Sequence, residues 1–384
     1  MAAEKSLTAP RLALFYGAVF MQIGFLAPFW PVWLADRGLG PMEIGVVMAS
    51  GIGLKIIFNP LFAHAADRRG LRRPIMIALA TAAFGAFSLF ALTDGFWPIL
   101  LVTLLFFAVW SPIMPLGEGL TMLSAGRADE GGELDYGRVR VWGSLTFMAA
   151  AVGGGYLFTG RPTGLIYGAV LVSIGLVVGA TFLLPRTTAP PLTGTRFATL
   201  DVIRDRRFLL FICAAALIQA SHGVYYWFGT LNWKAAGYSE DVIGWLWAEG
   251  VAAEIVLFAF GAKLIGRLGP AKLIALGGLA GALRWSVTGV SDALPVLVAV
   301  QLLHAFTFGA THLGAIYFIA RRVPQALSAS AQGLYSAIVM GLALGLSALV
   351  SGKLYGLYGG GAYHAMAVLA AAGCGAALMV MKRR

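Results

Sequence analysis

Lys55, Glu118, Arg140, His222, Glu249, Glu254, Arg284, His304 and His312 stand inside runs of apolar residues, where ionisable side chains are out of place. Placing Lys, Arg or Asp at the centre of a membrane-spanning helix costs about 2.5–3.5 kcal/mol on insertion scales, so such groups face a watery cavity or a partner. The chemistry they offer is binding and proton transfer. Lys55 lies mid-span, between Gly51-Ile52-Gly53-Leu54 and Ile56-Ile57-Phe58, too deep to snorkel to water, and suits an anionic substrate. Glu118 follows Pro112 and Pro115, which free backbone carbonyls and bend the helix beside the acid. Arg140, on the next helix, could form a cross-helix pair with Glu118, or snorkel as one half of a structural ion pair. Low dielectric favours the neutral form of a carboxyl group, which suits Glu254 to carrying a proton, with a permanent bridge to Arg284 as the bland alternative. His304 and His312, eight residues apart, fall within about 80° on one helix. With no Cys, Asp or Glu near them on that helix, hydrogen bonding or proton relay is expected, and no metal or cofactor. His222 sits in Gln219-Ala220-Ser221-His222-Gly223-Val224-Tyr225-Tyr226-Trp227, where Tyr225 and Tyr226 could line a pocket for an aromatic or amphipathic solute. Aromatics at a helix end also form interfacial belts, the expectation for Trp227 and Trp233.

The elements that must hold these groups follow from composition. Of 384 residues, 59% are apolar and 12% charged. A soluble domain carries roughly a quarter charged residues, so lipid is the solvent for much of this chain. Apolar runs predict twelve crossings, at 11–35, 42–65, 73–93, 97–124, 139–160, 163–184, 207–232, 240–264, 271–290, 295–320, 325–352 and 361–381. The expected fold is an all-α polytopic membrane protein of two pseudo-symmetric six-helix bundles, residues 1–185 and 207–384, joined by a proline-bearing, basic cytoplasmic linker at 186–206. The net charge of +11 is topological. With both termini in the cytoplasm, only Arg37, Arg161, Lys234 and Lys353 fall outside, which fixes the orientation and removes nucleic acid as a partner. Cys213 and Cys374 read as buried thiols, and the first apolar run is too long for a cleaved signal.

The halves repeat. A shift of 199 residues pairs Gly38 with Gly237, Ile44 with Ile243, Gly45 with Gly244, Lys55 with Glu254 and Gly70 with Gly269. Matched halves whose interface holds the binding site are the recurring plan of secondary transporters. No nucleophile–base set appears, so an enzyme is not expected. A monomer in the inner membrane, taking a small molecule and a proton, is the expectation.

Between the second and third runs, Ala63-His64-Ala65-Ala66-Asp67-Arg68-Arg69-Gly70-Leu71-Arg72-Arg73 resembles the loop signature of the major facilitator superfamily. The resemblance implies a gating loop built on Asp67, Arg68, Gly70, Arg72 and Arg73. Phe58-Asn59-Pro60-Leu61-Phe62, Tyr136-Gly137-Arg138-Val139-Arg140 and Leu303-His304-Ala305-Phe306 resemble lactose permease-like transporters. That likeness implies sugar contact by Glu118 and Arg140, and proton coupling through Arg284 and His304. Phe147 stands where those proteins carry a sugar-stacking Trp, Thr307 where they carry a coupling carboxylate, and Gln301 where they carry a lysine. Pro115-Leu116-Gly117-Glu118, Leu134 to Ser144, Ala253-Glu254-Ile255-Val256-Leu257-Phe258 and Arg284-Trp285 are similar to the phenylpropionate permease family. It implies a twelve-helix facilitator fold and symport of an aromatic acid with protons. A sugar or nucleoside porter is the alternative, and a non-transporting receptor or scaffold a second.

Overall fold

The computed structural model describes residues 8–126, 136–186, 205–323 and 328–382. Among them, ten stretches are long and apolar enough to cross a membrane. The last, Ala331–Met381, turns back through a 3-10 turn at Gly359–Ala362 and so holds two crossings. Pro270–Thr288, which carries Lys272 and Arg284, is the remaining one, giving the expected twelve. Several crossings are broken, which makes the helices α1 (Thr8–Asp36), α2 (Pro41–Arg69), α3 (Arg72–Ser88), α4 (Phe96–Trp110), α5 (Ile113–Gly126), α6 (Tyr136–Phe158) and α7 (Gly164–Leu183). There follow α8 (Arg206–Ala220), α9 (Gly223–Ala235), α10 (Glu240–Ala259), α11 (Gly261–Leu268), α12 (Pro270–Thr288), α13 (Leu294–Gln301), α14 (Thr311–Arg322), α15 (Ser328–Tyr335), α16 (Leu344–Tyr358) and α17 (Tyr363–Lys382).

The breaks have local causes. Pro112 lacks an N–H, and α4 gives way to α5 there. The eighth crossing ends at Ala259 instead of running to 264, and the basic α11 follows as a separate short helix with Lys263 and Arg267 exposed. Its apolar side, Leu264, Ile265 and Leu268, packs on Leu257, Leu273, Ala305 and Ala310. The eleventh crossing reaches Tyr358, beyond the expected 352, and stops at Gly359 with φ +53. Two crossings contain π-helical segments, Ala305–Ala310 and Ser336–Ala343.

Positive-φ glycines mark the repeat in the backbone. Gly38 (+83°) and Gly237 (+90°), Gly70 (+63°) and Gly269 (+74°), and Gly160 (+66°) and Gly359 (+53°) are each one repeat apart. A left-handed turn at matched positions needs a residue without Cβ, so glycine recurs there.

The contacts divide the chain into two compact units. One comprises Met1–Leu39 with Gly53–Gly194, the other Gly40–Ile52 with Thr195–Arg384. In the first, α1 packs against α6 and α7, and Gly24 lies so close to the Phe147 carbonyl that a Cβ would stand 2.6 Å from it. In the second, α17 packs on α12 and α8, with a Cβ on Gly278 only 2.7 Å from the Cys374 nitrogen. Residues 40–52 join this unit by close approach to α16, where a Cβ on Gly45 would lie 2.7 Å from the Ala348 carbonyl. Small residues of this kind let helix backbones approach in lipid.

Candidate functional site

In the second unit, Arg284 on α12 is completely buried. Its Nη1 donates to His304 Nδ1 at 3.1 Å and to Thr307 Oγ1 at 3.2 Å, and Nη2 donates to Gln301 Oε1. Its Nε–H has no partner, and no carboxylate among the described residues pairs with the guanidinium. The cation is flanked by aromatic faces, 4.6 Å from the Tyr225 ring and 4.4 Å from Trp285. Trp285 is pinned by its indole N–H to Ser221 Oγ at 3.0 Å, and Tyr225 stacks on Trp247 at 4.7 Å.

The break between α8 and α9 places His222 beside this group. Its Nδ1 donates to the Ile218 carbonyl at 3.1 Å, so its Nε2 accepts from the Thr307 hydroxyl at 3.0 Å. Tyr226 stacks on the His222 ring at 5.2 Å. Gln301 ends α13 and is fixed by its amide N–H to the Leu246 carbonyl at 2.9 Å. The π segment that follows carries Thr307 to the guanidinium; π bulges recur at functional sites because they re-aim side chains within a continuous helix.

His304 Nε2 faces Glu254 Oε2 at 3.9 Å. The two residues seat each other's helices: the His304 ring lies against Gly250 of α10, and the Glu254 Cγ against Gly309 of the π segment. A Cβ would stand 3.4 Å and 3.3 Å from them, respectively. His304, Phe308 and His312 form a stack, with centroids 5.6 Å and 6.0 Å apart, and His312 Nδ1 lies 3.5 Å from the Tyr335 hydroxyl. His222, Tyr225, Tyr226, Glu254, Arg284 and His304 thus come together, and His312 lies two stacked rings away from His304. Gln301 and Thr307, which in the sequence stand as departures from a family pattern, both hold the arginine. Trp247, Gly250 and Gly309 carry no spacing in the sequence that signals them.

In the first unit, Arg140 lies 4.0 Å over the Phe20 ring and 5.8 Å from Tyr16, whose hydroxyl is 3.2 Å from Thr121 Oγ1. Glu118 senses Arg140 electrostatically without a direct ion pair. Phe147 is buried, its carbonyl against Gly24. Lys55 is half-buried and makes no hydrogen bond or ion pair among the described residues. In the loop segment, Arg72 donates to the Gly119 carbonyl at 2.8 Å, Arg73 to that of Phe182, and Arg68 is exposed. The Asp67 side chain lies outside the described residues, as do residues 187–204 of the expected linker.

The helix count, the matched backbone turns and a polar cluster inside a lipid-facing bundle describe a membrane carrier. A family model described as the MFS_1 like family matches residues 10–365. The chain belongs to the MFS_1-like family. This MFS_1-like protein is 34% identical over 369 residues to "Probable 3-phenylpropionic acid transporter" of Escherichia coli (strain K12), covering 94% of each chain. It is 28% identical over 352 residues to the maltose permease of Geobacillus stearothermophilus, covering 89% of this chain and 86% of that one. Its fold matches the crystal structure of the nucleoside transporter NupG with a TM-score of 0.83 at 17% identity, over 98% of this chain and 100% of that one. The MFS_1-like protein is therefore a multi-pass membrane transporter of the major facilitator superfamily, with a small-molecule substrate.

Proposed function

We propose that the protein carries a small aromatic carboxylate across the membrane together with protons. The observation that carries this reading is Arg284, a fully buried guanidinium with no direct ion pair to a carboxylate among the described residues and walled by Tyr225 and Trp285. A buried cation is costly unless an anion pairs with it. A substrate carboxylate would supply that charge, and its ring would lie on the aromatic wall. The name of the Escherichia coli relative supports the same substrate class. Glu254, facing His304 at 3.9 Å, is the proposed proton carrier beside this site. Within the first unit, Lys55, Glu118, Arg140 and Phe147 are further proposed substrate-binding residues. The basic loops support cytoplasmic termini and residence in the cytoplasmic membrane.

The test is uptake of labelled 3-phenylpropionate by cells expressing the protein. Uptake should collapse with a protonophore and in Glu254→Gln; uptake unchanged in both sinks the coupling. A second reading, a sugar or nucleoside porter, is favoured by Glu118 within electrostatic reach of Arg140 and by the maltose permease relative. A thermal-shift screen of carboxylates against sugars and nucleosides on purified protein separates the two.

A further inference from the structure

The buried Gln301 amide holds Arg284, Tyr225 and the main chain of α10 at once, and its orientation is forced. The Leu246 carbonyl can only accept, so Gln301 Nε2 must face it, at 2.9 Å. That leaves Oε1 for Arg284 Nη2. The same Nε2 reaches the Tyr225 hydroxyl at 3.4 Å. One amide thus ties the guanidinium and one of the two rings that wall it to a fixed point on α10.

Charge distinguishes glutamine from its closest isostere here. A glutamate has nearly the same shape, and its bond to the guanidinium would be roughly twice as strong as that of a neutral acceptor. It would also turn a second acceptor toward the Leu246 carbonyl, where a donor is required. The amide satisfies both neighbours and adds no charge. The remaining contacts keep to the same rule, because Nη1 donates to His304 Nδ1 and Thr307 Oγ1, both uncharged acceptors. Nε–H is left without a partner. Glu249 is half-buried within electrostatic reach, yet no carboxylate among the described residues forms a salt bridge with Arg284. The cation is held firmly by groups that do not neutralise it.

We propose that Gln301 is a specificity-determining residue: it positions Arg284 without cancelling its charge, so the site selects an anion over an uncharged ligand of the same shape. This rests on the carboxylate reading above. Gln301 acts through Arg284 and is a positioning residue. A carboxylate at position 301 would stand in for that of the substrate. The guanidinium would then be paired before any ligand arrives, and an arriving anion would bring an excess negative charge into a low-dielectric enclosure.

The test compares 3-phenylpropionate with its uncharged isostere 3-phenylpropionamide, both titrated into purified full-length protein at mildly alkaline pH and read from tryptophan fluorescence. The native protein should prefer the acid by at least about a hundredfold. Gln301→Glu should weaken the acid by about a hundredfold and leave the amide within about threefold, so the preference collapses. Gln301→Met, which has neither charge nor amide, should weaken the acid by about tenfold and the amide much less. A merely structural role would move both ligands together. Gln301→Glu that melts cooperatively and keeps the native preference overturns the proposal. So does Gln301→Met with an acid affinity within about threefold of native, which decides the matter if the glutamate variant does not fold. If the native protein binds the amide as tightly as the acid, or binds neither, the carboxylate reading falls and the proposal with it. A native preference that survives both substitutions removes the proposal alone.

Discussion

Replacing Arg284 with Met removes the charge and keeps the length, and the structure gives opposite expectations for stability and for binding. In the free protein the substitution takes away three charge-assisted hydrogen bonds, to His304, Thr307 and Gln301. Hydrogen bonds of this type contribute about 1.5–3 kcal/mol each. Against that loss, a completely buried cation with no direct carboxylate partner disappears, relieving a desolvation penalty of several kcal/mol. Thr307 retains His222 and Gln301 retains the Leu246 carbonyl, so few orphans remain. The terms offset, and the melting temperature should move by only a few degrees. With substrate bound there is no such offset, because the carboxylate is left buried without its partner, at a cost of about 3–5 kcal/mol. At 1.4 kcal/mol per tenfold, affinity should fall by roughly two to three and a half orders of magnitude. Trp285 and Trp247 lie beside the site, so quenching of intrinsic fluorescence by 3-phenylpropionate reports the Kd. A Kd within about threefold of the native value, in a protein that still melts cooperatively, would refute the assignment of Arg284 to the anion.

Glu254→Gln should abolish accumulation against a gradient while leaving exchange of labelled for unlabelled substrate across vesicles, since only proton release is removed. Equal loss of both processes would make Glu254 a structural residue. Gly309→Ala places a Cβ 3.3 Å from the Glu254 Cγ and 3.5 Å from Leu257 Cδ2, so the acid must give by a few tenths of an ångström. Uptake should fall several-fold with little change in melting, and an unchanged rate would show that the notch does not position the acid. Gly278→Val meets the main chain of Ala370 and Cys374 at 2.7–2.9 Å, and main chain cannot swing aside. Overpacking of this kind costs about 1–3 kcal/mol, to be read as a lowered melting temperature.

Crossings and repeat were legible because lipid imposes a simple code. A span must be apolar for most of its length, and a left-handed turn favours glycine, so Gly38, Gly70, Gly237 and Gly269 mark matched corners in the sequence itself. The list of intramembrane charges was legible for the same reason. Their partners were not. Arg284 suggested a carboxylate, yet it holds His304, Thr307 and Gln301, because polar neutral groups are inconspicuous in a sequence and charged ones are not. Arg140, expected beside Glu118, rests on the Phe20 ring, an arrangement that depends on helix rotation. Pro112 foretold the break after α4, whereas the break at Ser221 and His222 has no proline to mark it. The π segments leave no residue-type signature at all, and the notches at Gly250 and Gly309 become visible only once α10 lies against residues 305–310.

Those π segments give the second unit a way to turn its side chains without sliding its helices. A π turn holds one residue more than an α turn. Returning Ala305–Ala310 to α geometry would therefore rotate α14 by about 100°, the angular step of one helical residue. His304 lies before the segment and would keep its place beside Arg284; His312 lies after it and would swing out of the stack with Phe308 and away from Tyr335. Ser336–Ala343 offers the next crossing the same freedom. The spare residue acts as a ratchet tooth: the lower half of a helix can be re-aimed while its upper half, and the polar cluster built on it, stays fixed.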